Sequence, residues 1–370
     1  MKQSKVSMLD CIERIPSLLS AIFENRESAQ KALFEYLGED GLKNLSSIVL
    51  VGSGTSSTSA VTAAYFANKV AGIPVTAALP SEFCHNTVHF DPNALYVFIS
   101  QTGTSKLTKQ AMDLVAEKGY YHVCVSEHDQ TPMAKAAACF LSMGCGYEEY
   151  PMRTIGYSTT VFTLQLLALE IGYKKGAVTD AEYTAYCDEA KRLPELLAPI
   201  PQMTLEWMQT KSQWQMIRSQ CLVFTGSGAQ YGVALESAVK AWETPKMTSV
   251  GLELEEGMHG ANFGYDHKHC VIVFNDGGVD TKKARALTRY MREVFKNGWM
   301  IGADTVDDND LAFPLCGENF GCLQFAAVGQ VISYKLALDE GRDLFAPHDN
   351  SVMYSYFTTH AGDDGTKPRS

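Results

Sequence analysis

The sequence predicts an α/β fold built from two repeats of one parallel-sheet unit. Three observations carry this. Short apolar runs at 48–51, 94–100 and 121–126 alternate with helical stretches, the pattern of buried parallel strands joined by helices. Two of these runs open into turns crowded with hydroxyls, GSGTSSTS after the first and SQTGTS after the second. A Gly-Ser-Gly turn after an apolar run occurs at 52–54 and again at 226–228, which marks an internal repeat.

In chain order, residues 1–44 form a helical segment, with Ile12, Ile15, Leu18, Leu19 and Ile22 at helical spacing and Pro16 as an interruption. A first unit spans 45–180. It holds strands at 48–51, 73–79, 94–100, 121–126 and 139–142, with helices at 60–70, 107–118 and 154–171. A helical linker follows over 181–220, broken around the prolines of 193–201. The second unit spans 221–345 and restarts with the apolar run 221–224; its next run, 271–274, leads into Asn275-Asp276-Gly277-Gly278 with no hydroxyl cluster. Residues 346–370 are a C-terminal tail, Gly- and Asp-rich at its end and expected to be mobile.

Composition bounds the function. The chain has 370 residues, 46% hydrophobic and 20% charged, as in an ordinary soluble globular protein. A net charge of −11 argues against broad binding to nucleic acid or an anionic membrane, though not against a local anion pocket. The ten cysteines include no CxxC pair, and Cys139/Cys145 and Cys316/Cys322 are too widely spaced for the usual zinc patterns. His267 and His269 read as surface residues. No metal or other cofactor is expected. With an amphipathic, charged start and no apolar run of spanning length, the chain is expected in the cytoplasm.

The first turn points to an anion. Gly52 and Gly54 let the chain turn sharply, and the following helix offers unpaired N–H groups and the positive end of its dipole. Hydroxyls of Ser53, Thr55 and Ser56 add donors. The turn is not a P-loop, because no Gly-Lys-Ser/Thr follows, and it lacks the third glycine of a dinucleotide fingerprint. A serine-rich helix cap without a ligand is the competing reading. In a parallel sheet, ligands sit at the carboxyl ends of the strands, and both hydroxyl turns lie there.

In the second unit, Glu236, Lys240 and Glu243 fall at i, i+4 and i+7, on one face of a helix that Pro245 ends. A solvated charge ladder is the ordinary explanation of such a face. A carboxylate near the core, with a raised pKa, can instead both take and give a proton, and histidine as a residue type is suited to proton shuttling, which makes His259 a second candidate.

These motifs resemble the SIS (sugar isomerase) family of phosphosugar-binding domains. The likeness covers about residues 45–345, and it is similar to the isomerase half of glucosamine-6-phosphate synthase and to the fructosamine- and fructoselysine-6-phosphate deglycases. The family's first turn, C-G-T-S, corresponds to Ser53-Gly54-Thr55-Ser56, and its second, S-Q-S-G-x-T, to Ser100-Gln101-Thr102-Gly103-Thr104-Ser105. Its A-L-E-x-A-x-K-x-x-E helix corresponds to 234–243 and its G-E-x-x-H-G-P to 255–261, where Glu255 replaces the glycine and Ala261 the proline. The resemblance implies two tandem flavodoxin-like or Rossmann-like domains. It implies phosphate binding by Thr55, Ser56, Ser100, Gln101, Thr102 and Ser105, proton transfer by Glu243, and sugar ring opening by His259. It also implies a homodimer, or a dimer of dimers, with shared active sites.

Within that family the sequence favours one activity. No glutaminase segment precedes the repeat, and the tail stretch 342–357 has no lysine to form a Schiff base with a ketone; Lys367 is the only later one. The segment 81–87, SEFCHNT, resembles the E-F-C-x-N-T of fructoselysine-6-phosphate deglycases, which makes His85 a candidate contact to an amino-acid portion; a sheet-edge loop is the plain alternative. Arg153, Tyr157 and Ser158 are further candidates for the pocket wall. The expectation is a fructosamine-6-phosphate deglycase. Another phosphosugar isomerase or aminosugar-phosphate deaminase, and a non-catalytic phosphosugar-binding regulator, are the alternatives.

Overall fold

The computed structural model describes residues 5–346 and 350–361. Lys367 and the end of the tail lie outside the described residues. The first half runs α1 (Met8–Asn44), β1 (Ser47–Gly52), α2 (Thr55–Val70), β2 (Val75–Ala78), α3 (Pro80–Asn86), β3 (Ala94–Ile99), α4 (Lys106–Ala116), β4 (His122–Ser126), α5 (Pro132–Ala136), β5 (Phe140–Ser142) and α6 (Ile155–Lys174). Three helices connect the halves: α7 (Asp180–Leu197), α8 (Ile200–Trp207) and α9 (Gln213–Arg218), with a π-turn between the last two. The second half runs β6 (Cys221–Gly226), α10 (Ala229–Glu243), β7 (Ser249–Glu253), α11 (Leu254–Met258), β8 (His269–Asn275), α12 (Thr281–Phe295), β9 (Gly298–Gly302), β10 (Leu311–Ala312) and α13 (Cys322–Asp339). A short α14 (Ser351–Tyr356) closes the described chain.

Each half is one parallel five-stranded sheet. The strand orders are β2-β1-β3-β4-β5 and β7-β6-β8-β9-β10, so the second repeats the first. This is the doubly wound 2-1-3-4-5 order, whose ligand crevice lies where the winding reverses, outside the carboxyl ends of the first and third strands. In the first half those strands are β1 and β3, and each leads into one of the hydroxyl-rich turns.

The repeat is exact in backbone detail at the first turn. Gly54 caps α2 with φ 57° and ψ −130°, and Gly228 caps α10 with φ 61° and ψ −131°. A positive φ of this kind strains any residue with a Cβ.

The core explains how the halves are joined. β3 is buried at all six positions, as a strand covered on both faces must be. One continuous apolar cluster contains Leu50, Phe66 and Leu166 from the first half and Phe224, Val233 and Phe325 from the second. Helices α2, α6, α10 and α13 thus form a shared layer between the two sheets. Two smaller clusters lie on the outer faces, one under α3 and α4 around Phe83, Phe98 and Met112, the other under α12 around Val271, Leu287 and Met291. Helices α2 and α10 approach so closely at Gly232 that a Cβ there would sit 2.2 Å from Thr62 Oγ1. That approach carries the charged face of α10 to the mouth of the first unit's crevice.

Several local expectations are corrected. Helix α1 does not stop at Pro16; it runs through and kinks at Gly38 instead (φ 64°, ψ 175°). Burial of Ile12, Ile15 and Leu19 offsets the hydrogen bond that Pro16 removes. Helix α2 begins at Thr55, not residue 60, because Thr58 and Ser59 turn their hydroxyls onto the Thr55 carbonyl and leave the helix intact. The break at 193–201 shrinks to Ala198 and Pro199, since Pro194 lies inside α7 and Pro201 in the first turn of α8, where its missing N–H costs nothing. Residues 81–86 belong to helix α3 and are not a sheet-edge loop. Among the described residues, no helix is long and apolar enough to cross a membrane.

Candidate active site

The crevice at the ends of β1 and β3 is a cleft of about 640 Å³, within the roughly 300–1,000 Å³ typical of small-molecule sites. One wall is the first turn, with Ser53, Thr55 and Ser56. A second is the other hydroxyl turn, with Ser100, Gln101, Thr102 and Ser105. Helices α2 and α4 both begin at this cleft and point their positive dipole ends toward it. A third wall comes from the start of α6 (Gly156, Thr160) with Arg153, and Glu243 reaches in from the second unit.

Gln101 is held in place from behind. Its amide donates to Glu148 Oε2 at 3.3 Å. Glu148 is 2% exposed and also accepts the backbone N–H groups of Thr154, Ile155 and Gly156 at 2.6, 2.9 and 3.1 Å. One buried carboxylate therefore caps α6 and fixes Gln101. Gly156 makes room for this: a Cβ there would lie 1.9 Å from Gln101 Oε1.

The charged face of α10 is the electrostatic centre. Lys240 is fully buried, with its ammonium 3.3 Å from Glu236 Oε1 and 2.5 Å from Glu243 Oε2. Glu236 is buried too. It accepts from Thr58 Oγ1 at 2.5 Å and from Thr55 Oγ1 at 3.2 Å, so two hydroxyls of α2 bind a carboxylate of α10. Lys240 also donates to Thr55 Oγ1 at 3.3 Å. Burial pushes the Glu236 carboxyl up to about 7, against the pull of the Lys240 cation. Burial acts to lower the Lys240 pKa, but the Glu236 and Glu243 carboxylates prevail and raise it above its ordinary value. Lys240 therefore stays charged. Glu243 differs from Glu236 in position: its side chain is 38% exposed and opens to the cleft. The face is not the solvated ladder that spacing alone suggests.

The structure brings together Ser53, Thr55, Ser56, Ser100, Gln101, Thr102, Ser105, Arg153 and Glu243 around one cleft, with Glu236 and Lys240 directly behind. It does not bring the others there. His259 is exposed at the end of α11, and His85 is exposed on α3; neither lines the cleft. Ser158 is buried within α6, with no hydrogen-bond partner for its hydroxyl. Gly156 and Thr160, one turn apart, form the face of α6 that meets the cleft, and Ser158 lies off it. Tyr157 is buried as well, its hydroxyl 2.7 Å from Thr62 Oγ1 between α6 and α2. Sequence reasoning missed Lys106, Thr160 and the tail residues Thr358, Thr359 and His360, all of which line the cleft. No local motif marks the tail, because its return depends on the tertiary fold. Among the described residues, no group of three or more His, Cys, Asp or Glu is arranged to hold a metal ion.

Residues 41–172 match the SIS domain family model. The chain is similar to the glutamine–fructose-6-phosphate aminotransferase (isomerizing) of Tropheryma whipplei strain Twist, with 27% identity over 321 residues, covering 84% of this chain and 52% of that protein. It spans about half the length of the curated relatives it matches. Two solved structures share the fold. A protein proposed to be a phosphosugar isomerase, from Clostridium difficile 630, gives a TM-score of 0.84 at 23% identity, covering 95% of this chain and 99% of that one. The C-terminal domain of glucosamine-fructose-6-phosphate aminotransferase from Francisella tularensis gives 0.81 at 21%, covering 92% and 97%. Both five-stranded sheets thus fall within the fold that the chain shares with these structures.

Proposed function

We propose that this chain is an SIS enzyme acting on a phosphorylated sugar, and specifically a fructosamine-6-phosphate deglycase. The observation that carries the reading is the position of Glu243. It is the one carboxylate of the α10 face that opens to the cleft, opposite two hydroxyl turns suited to a phosphate, and a buried lysine backs it.

In this reading the 6-phosphate lies against Thr55, Ser56, Ser100, Gln101, Thr102 and Ser105. Glu243 takes a proton from C1 of the open-chain substrate while O2 gains one, giving an enaminol. Returning a proton to C2 leaves C1 as an iminium carbon. Water adds to C1, the C1–N bond breaks, and nitrogen leaves as the free amine or amino acid. One water is consumed, nothing is oxidised or reduced, and the sugar product is a hexose 6-phosphate. Lys240 helps by holding the Glu243 carboxylate in place through their ion pair. Amine departure of this kind requires no lysine Schiff base, and the stretch 342–357 contains no lysine.

The reading includes a cytoplasmic homodimer. His259, exposed in the single chain, would open the cyclic sugar in the cleft of a second copy. The second reading is a phosphosugar isomerase or aminosugar-phosphate deaminase. It draws on the isomerizing relatives, and the same proton transfer at C1 and C2 would serve it.

The test is product formation from a panel of 6-phosphorylated Amadori compounds, with glucosamine 6-phosphate and fructose 6-phosphate alongside. Release of an amine together with a hexose 6-phosphate is expected. Turnover confined to glucosamine 6-phosphate or fructose 6-phosphate would establish the second reading. Binding of all compounds without reaction would make the protein a regulator.

A further inference from the structure

We propose that His360 completes the phosphate-binding turn: it is a positioning residue that orients the hydroxyls of Thr104 and Thr102 as donors toward the substrate phosphate. This rests on the reading of the cleft as a sugar-phosphate site. The chain after α14 returns across the second hydroxyl turn and pairs with it as a short antiparallel bridge between Ser105 and His360. Two backbone bonds hold it there, Lys106 N to Thr359 O at 3.0 Å and Ala361 N to Thr104 O at 2.7 Å. The Lys106 ammonium donates to Thr358 Oγ1 as well. His360 is therefore fixed at the rim by its neighbours on both sides, and it lines the cleft.

A relay leads inward from its ring. His360 Nδ1 is 3.1 Å from Thr104 Oγ1, which is 2.8 Å from Thr102 Oγ1. Each hydroxyl has one proton to give. When Nδ1–H donates to Thr104, the Thr104 hydroxyl is free to donate to Thr102, and Thr102 can point its own proton into the cleft. An anion there selects this direction; the reverse direction would present a lone pair to it. The segment that carries His360 is local to this turn, and the first hydroxyl turn has no such bridging segment among the described residues.

The experiment is calorimetric titration of glucose 6-phosphate, with inorganic phosphate as a second probe, into the full chain and its variants. His360→Ala should weaken glucose 6-phosphate about tenfold, in line with losing one hydrogen bond to a charged group. His360→Asn, whose amide N–H can replace Nδ1–H, should restore most of the affinity. Thr104→Val should weaken binding to the same extent, and the double variant His360→Ala/Thr104→Val should lose no more than either alone. Additive losses, or binding by His360→Ala equal to wild type, would overturn the proposal while leaving the cleft reading intact. A wild-type chain that binds neither probe would overturn both. Should His360→Ala fail to fold, Thr104→Val with and without His360→Asn decides the question: equal affinity of Thr104→Val and wild type would refute the relay.

Discussion

Replacing Lys240 by methionine should destabilise the protein by about 3 kcal/mol at pH 8. The ammonium is 0% exposed and lies 3.3 Å from one carboxylate and 2.5 Å from another. Breaking a buried pair by removing one partner typically costs about 3–5 kcal/mol, because a charge is left buried and unpaired. Here Glu236 would retain only the hydroxyls of Thr55 and Thr58. Glu243 is 38% exposed, so water screens part of its loss and the low end of the range applies. Urea unfolding followed by circular dichroism reads this directly. With an m-value of about 3 kcal/mol per molar, the midpoint should fall by about 1 M. At pH 5.5, below the Glu236 value of about 7, Glu236 is neutral and the penalty should shrink. The double variant Glu236→Gln/Lys240→Met should recover most of the loss, since it removes both buried charges. A midpoint shift under about 0.3 M at pH 8, or no recovery in the double variant, would refute the picture of a buried, mutually dependent charge cluster.

Two further outcomes follow from the same geometry. The folded-state pKa of Glu236 is raised from 4.5 to about 7, so its contribution is complete below about pH 4.5 and is lost as pH rises through 7. At 1.36 kcal/mol per unit this is about 3 kcal/mol, and Glu236→Gln should gain that much stability relative to wild type between pH 4.5 and 7.5 in matched urea titrations. Gly54→Ala and Gly228→Ala should each destabilise by about 1–3 kcal/mol, because a positive φ with ψ near −130° is a backbone conformation that side-chain-bearing residues rarely adopt. Only Gly54→Ala should also weaken glucose 6-phosphate in a binding titration, because only the first copy of the turn borders the cleft.

Much of the sheet architecture is legible in the sequence because buried parallel strands are nearly pure apolar runs, as in β3 and β8. The repeat shows through two glycines whose conformation admits little else. The α10 face is legible as a pattern, but its burial is not: spacing cannot reveal that α2 covers it and supplies Thr55 and Thr58. Edge strand β7 is half polar and β10 has two residues, so neither leaves a periodic trace. Helix α6 is buried on nearly every side, and a helix with no polar face has no readable phase. The sequence therefore points to Ser158 and Tyr157, whereas Gly156 and Thr160 face the cleft. The return of His360 to Thr104 spans 256 residues and leaves no local signal.

Solvent deuterium exchange tests the central claim most directly: that Glu243 moves a proton at C1 or C2 of a sugar phosphate held by the two hydroxyl turns. Fructose 6-phosphate and a 6-phosphorylated Amadori compound would be incubated in deuterium oxide with wild type and Glu243→Gln, and the C1 signals followed by proton NMR. Wild type should incorporate deuterium into at least one of them, and Glu243→Gln should be slower by about 10²–10⁴ while still binding glucose 6-phosphate. Exchange at the wild-type rate in Glu243→Gln, or no exchange by a wild-type protein that binds both compounds, would contradict it.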